Sequence, residues 1–370
     1  MSKPFIRYLV SSPHGDIPAD ESKWDLPLEG DALKTPYRIY FETIRDFLSK
    51  DDFKPLLSSI SQQRGKEIRL NEVDEIVIRT EKHGLLYHPA SIELMLKGDK
   101  LKLGLNVAVT DVGRHGLKTE WNVLQKLHTT YAYPYLPKVY MFSDFYDMSF
   151  LMENWFEGYH EFHISKDQDE THRLKLWDFC QGYKYLSPEQ SFDIYRQASR
   201  ILTLYYDPND FSEIFPWHHA AGDFVVKVME ETIDVRLTTA RRYEPFIGFT
   251  DRNTLNPLLS LCYYLMNLTI RMRLDKLDGL GEIVWIEDRC VEATLRGFFD
   301  VLTLKGDFTN SIGNAEEFLA LLQSFSVNDL KTLVNPLLEQ YGGTGDISAV
   351  TANLDEHIRE LYVTLQNLPL

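Results

Sequence analysis

PWHHAAGDFVVKVMEETIDVRLTTARRY, residues 216–243, changes character twice along its length. It opens as a loop, WHHAAGD, where Pro216 and Gly222 interrupt any periodicity. FVVKV and IDVRLTT follow, two short β-branched runs separated by a turn near 230–232, and this pattern predicts a hairpin at 224–239. The flanks are helical in texture. Upstream, SPEQSFDIYRQASRILTLYY has helical spacing, with Ser187 suited to cap and Pro188 to the first helical position. THRLKLWDFCQGYKY before it is also read as helix, as are 254–274, 287–303, 315–340 and 347–367 downstream. Residues 158–370 are therefore expected to form a mainly helical half with one embedded hairpin.

Working back toward the N-terminus, the texture reverses. DEIVIRT, ASIELMLKG and KLGLNVAVTD predict three antiparallel strands, punctuated by His83-Gly84, Gly98-Asp99 and Gly113. LKTEWNVLQKLHTT spaces Leu117, Trp121, Leu124 and Leu127 as a helix, and LPKVYMFS and MSFLMENWF add two strands. Residues 66–157 thus form a strand-rich portion. Before it, two amphipathic helices over 35–63, joined near 49–52, make a helical prefix, and residues 1–31, rich in Pro, Gly and Asp, are expected to be an irregular arm. The division is 1–65, 66–157 and 158–370, and the fold class is α+β.

The totals narrow the partners. The 370 residues are 44% hydrophobic and 25% charged, a composition that folds. A net charge of −16 repels phosphate backbones and anionic headgroups, so neither nucleic acid nor a membrane surface is expected as partner. Cys180, Cys262 and Cys290 include no CxxC pair, which favours a reducing compartment, and no run reaches the roughly 18 to 20 apolar residues of a membrane span, so the protein is read as cytoplasmic.

Three strands, a helix, two strands, helices, and a hairpin preceded by a His/Gly/Asp loop resemble the kinase-like superfamily of protein kinases and aminoglycoside or choline phosphotransferases over roughly residues 66–300. The resemblance implies a bilobal kinase-like fold, with a small antiparallel-sheet N-lobe, a mainly helical C-lobe and a cleft between them for a nucleotide or small molecule. Its cofactors would be ATP and Mg2+. Glu120 falls at the position of the helix glutamate and Thr110 at that of the strand lysine, with Lys100 or Lys102 nearby; residues 153–156, including Glu153 and Trp155, would be the connector facing a purine. Asp223 would be the metal ligand. His218 stands where the catalytic base belongs, and an arginine among Arg236, Arg241 and Arg242 would replace the missing lysine. The segment after the hairpin, LTTARRYEP, lacks the second metal-binding acid.

Loss of both the lysine and that acid implies either a pseudokinase, a scaffold that senses a ligand or holds a protein partner through its C-terminal helices, or an atypical small-molecule phosphotransferase. His218, His219 and Asp223 also admit a rival class, a metal-dependent hydrolase with Asp223 and His219 as ligands. The plainer reading of these three is loop capping and hydrogen bonding. RMRLDKLDGLGEIVW reads as a helix end with ion pairs and a glycine cap. GxSxG and GxGxxG are both absent.

Overall fold

A computed structural model describes residues 4–12, 15–20, 22–81, 84, 86–178, 182–230, 232–246, 256–287, 289–305 and 313–369. It is mixed α+β, and the chain divides into two compact units, Met1–Glu157 and Gly158–Leu370.

The first unit contains β1 (Phe5–Val10), β2 (Ile17–Pro18), α1 (Tyr37–Arg64), β3 (Val73–Thr80), β4 (Ala90–Leu96), β5 (Asp99–Ala108), α2 (Asp111–Thr130), β6 (Val139–Phe145) and β7 (Met148–Asn154). These strands form one seven-stranded sheet in the order β2-β1-β3-β4-β5-β7-β6, antiparallel except where β1 runs parallel to β3. The expected irregular arm is thus corrected, because Phe5–Val10 extends the sheet by pairing with residues 75–80. In α1, the helical dihedrals break at Lys50, Asp51, Asp52 and Phe53, where the two predicted helices meet. Apolar residues of α1 cover the sheet, and the Phe47 ring stacks on Phe150 of β7 with centroids 4.6 Å apart.

The second unit begins with an antiparallel sheet of β8 (Phe162–Lys166), β9 (His172–Asp178) and β10 (Gly182–Tyr185). The helix expected at this point is corrected to strands. Leu174 and Leu176 are buried while Arg173, Lys175 and Trp177 alternate with them, a period of two and not of 3.6. Then follow α3 (Pro188–Leu204), β11 (Glu213–Phe215), β12 (Phe224–Met229), β13 (Thr232–Leu237), β14 (Arg242–Glu244), α4 (Pro257–Arg271), β15 (Leu274–Lys276), β16 (Ile283–Trp285), α5 (Cys290–Leu304), α6 (Ala315–Ser324), α7 (Val327–Tyr341) and α8 (Ile347–Asn367). α3 starts as its sequence predicts, since Ser187 accepts the Gln190 N–H while the Gln190 side chain accepts the Ser187 N–H. It crosses α5 closely at Gly297, where an added Cβ would lie 2.1 Å from the Arg196 carbonyl oxygen.

β12 and β13 form the predicted hairpin, whose turn residue 231 lies outside the described residues. β11 pairs with β14, which brings together the loop that enters the hairpin and the segment that leaves it. The stretch after α4, read as a helix end, is instead the β15–β16 hairpin closed by a short 3-10 turn, Leu277–Gly279.

Candidate functional site

The loop from β11 to β12 is built around a 3-10 turn, His219–Ala221, closed by Gly222 in the left-handed region at φ 70°. Thr238, just past β13, donates its backbone N–H to the Asp223 carbonyl at 2.8 Å and its hydroxyl to the Gly222 carbonyl at 3.1 Å. These bonds set the Asp223 side chain against the segment that follows the hairpin.

Asp223 is buried, and both of its oxygens are engaged. Arg241 donates from Nη1 to Oδ2 and from Nη2 to Oδ1, each at 2.7 Å, and the His218 backbone N–H donates to Oδ2 at 2.9 Å. Arg241 also donates to the Pro216 carbonyl at 3.2 Å, which fixes the plane of its fork.

The two histidines face different surroundings. His218 accepts the Ala220 backbone N–H on Nδ1 at 3.0 Å, so that nitrogen is the acceptor and Nε2 carries the hydrogen. Nε2 points toward Asp346 Oδ1 at 3.8 Å, an ion-pair distance longer than a hydrogen bond. Interaction with His218 holds the Asp346 carboxyl below its usual range despite partial burial. His219 is buried among Phe162, Tyr195, Trp217 and Phe224, with Nε2 3.3 Å from the Met272 carbonyl. Burial pushes its pKa down to about 4, so it is neutral at physiological pH. The side chains of His218, His219 and Asp223 thus have different partners, and among the described residues no group of three or more His, Cys, Asp or Glu is arranged to hold a metal ion.

Arg236 belongs to another cluster. It pairs with Asp234 at 2.7 Å, and the Tyr159 hydroxyl donates to the same carboxylate at 2.5 Å. Arg242 is exposed on β14 beside Glu244.

The remaining expected site residues lie in the first unit. Thr110 sits beyond the end of β5 and caps α2, accepting the Gly113 N–H at 3.1 Å. Glu120 is buried on α2 and lies near Glu153 of the expected connector. Burial, and then the neighbouring Glu120, push the Glu153 carboxyl well above its usual range, while Asn106 donates to it at 3.1 Å. Lys102 is occupied elsewhere: its ammonium lies 3.9 Å from the centroid of the Trp155 ring, 3.4 Å from Glu81 and 3.7 Å from Glu93. His83 of the His83-Gly84 turn lies outside the described residues.

A further cluster in the second unit, the buried His163 and Asp275 with the partly exposed Glu161, is not legible from the sequence. Alternation along an extended strand puts residues 161 and 163 on one side, but nothing in their spacing points to Asp275, far along the chain.

No family model matches this sequence, and no curated protein matches it.

Proposed function

We propose that the protein is a degenerate kinase-like protein, a pseudokinase that serves as a binding scaffold and does not transfer phosphate. The observation that carries this reading is the fork of Arg241 on Asp223. In the kinase-like mapping, Asp223 and the segment after the hairpin are the two places that hold magnesium. β11–β14 pairing draws these places together, and the cation found between them is the protein's own guanidinium. Magnesium would have to displace a tethered, doubly hydrogen-bonded partner from a buried carboxylate, leaving the arginine uncompensated.

The place of the base supports the same reading. The acceptor nitrogen of His218 is taken by the Ala220 N–H, and its other nitrogen bears hydrogen toward Asp346. Lys102, held by Glu81, Glu93 and Trp155, is likewise committed away from the role of a phosphate-steadying lysine. The metal-dependent hydrolase finds no comparable support, because its ligands Asp223 and His219 turn to different partners, Arg241 and the Met272 carbonyl.

Thermal unfolding with ATP, with and without Mg2+, tests the proposal. A ligand at 100 times its dissociation constant stabilises by about 2.7 kcal/mol. A scaffold of this kind gives no magnesium-dependent shift and no phosphate release; a magnesium-dependent shift accompanied by turnover overturns the reading.

A further inference from the structure

His163 on β8 is wholly buried, and its imidazole lies between two carboxylates. Nε2 is 3.3 Å from Glu161 Oε2, and Nδ1 is 3.6 Å from Asp275 Oδ1. Asp275 is fully buried on β15, where Oδ2 accepts the Ile164 backbone N–H at 2.9 Å and Oδ1 accepts that of Lys276 at 2.8 Å. Along β8, Ser165 donates to Asp278 at 2.6 Å.

Two glycines at positive φ make room for this cluster. A Cβ at Gly279 would lie 2.8 Å from His163 Nε2, and one at Gly222 would lie 2.6 Å from Glu161 Oε1. Glu161 therefore rests directly against the residue that precedes Asp223.

A neutral imidazole has one N–H to share between two carboxylates and turns a lone pair toward the other. An imidazolium satisfies both. The charge on His163 therefore decides whether the cluster attracts or repels itself.

We propose that Glu161, His163 and Asp275 form a protonation latch, which ties β8, β15 and the Gly222 loop together while His163 is charged and releases them when the proton leaves. The other charged groups packed around His163 are engaged with partners of their own. Lys175, its cross-strand partner on β9, holds its ammonium 4.7 Å from the Tyr183 ring centroid, and the neutral Trp177 ring meets the imidazole edge-on at 5.3 Å. His219 in the 3-10 turn is neutral, Asp278 accepts from Ser165, Lys227 of β12 lies over Tyr159, and Asp223 beyond Gly222 is paired with Arg241.

Burial opposes the charge on His163, but the flanking carboxylates of Asp275 and Glu161 outweigh it and hold the pKa above the ordinary 6.5. The sign follows from linkage: the latch is fully closed below the unfolded value and opens as pH rises through the raised midpoint.

The test uses the full chain. Histidine side-chain NMR titration, with His163→Gln to assign the signal, reads the midpoint. Hydrogen-exchange protection at 160–166 and 218–223, corrected for intrinsic rates, reads the latch across pH 6 to 9. The latch predicts a midpoint above 6.5 that falls in Glu161→Gln, with protection of both segments lost through the same midpoint, by about tenfold for each pKa unit of elevation. A midpoint at or below 6.5, one that Glu161→Gln leaves unchanged, or protection at 218–223 that does not follow the titration overturns it. If His163→Gln fails to fold, the wild type and Glu161→Gln decide the matter.

Discussion

Arg241 and Asp223, on opposite sides of the β12–β13 hairpin, are joined by two parallel hydrogen bonds of 2.7 Å, and the carboxylate is buried. Asp223 is the residue that a kinase-like mapping offers to a metal. Its negative charge is instead matched within the chain.

Removing one partner should expose that dependence. Arg241→Ala leaves Asp223 buried and uncompensated, and we expect a loss of about 3 kcal/mol, the lower end for a buried pair because Arg241 keeps some solvent contact. Adding Asp223→Asn to that variant should recover part of the loss. Urea denaturation of the two single variants and the double variant gives the coupling directly.

The carboxyl pair in the first unit predicts a pH-dependent gain. Glu153 has a raised pKa in the folded chain and an ordinary value near 4.5 when unfolded, so the folded protein loses stability as pH rises above that value toward the folded midpoint. Glu153→Gln removes the titration and can still accept from Asn106. Its Tm should match wild type near pH 4 and exceed it at pH 8, and equal melting at both pH values would contradict the assignment.

The crossing of α3 and α5 leaves no room for a side chain at residue 297. Gly297→Ala must push the helices apart, because the obstacle is backbone and not the end of a flexible side chain. A loss of about 1 to 3 kcal/mol in urea denaturation is expected. An unchanged midpoint would mean that the helices cross less closely.

At the start of α3, Ser187→Ala removes the side-chain half of a reciprocal cap, and a loss of about 1 kcal/mol is expected. Ser187→Asp should retain most of the stability in the same assay.

The cap at Ser187 was legible because Ser-Pro-Glu-Gln carries its own local chemistry, and the β12–β13 hairpin because β-branched runs flank a turn. β9 and β10 have a helical texture in the sequence, since over so short a stretch apolar positions fit either period and burial at Leu174 and Leu176 decides between them. β1 is not legible locally, because its parallel pairing partner lies beyond α1. The candidate site divides in the same way. The His218 to Asp223 loop stands out locally, but the Arg241 pairing and the place of Asp275 beside His163 depend on tertiary approach, which spacing alone does not encode.

The most direct measurement is calorimetric titration of the wild-type chain with ATP in the presence and absence of Mg2+, alongside Asp223→Asn. With the guanidinium of Arg241 standing in for the metal, any heat of nucleotide binding should be independent of magnesium and of the Asp223 substitution. Binding that requires magnesium and disappears in Asp223→Asn would contradict the account.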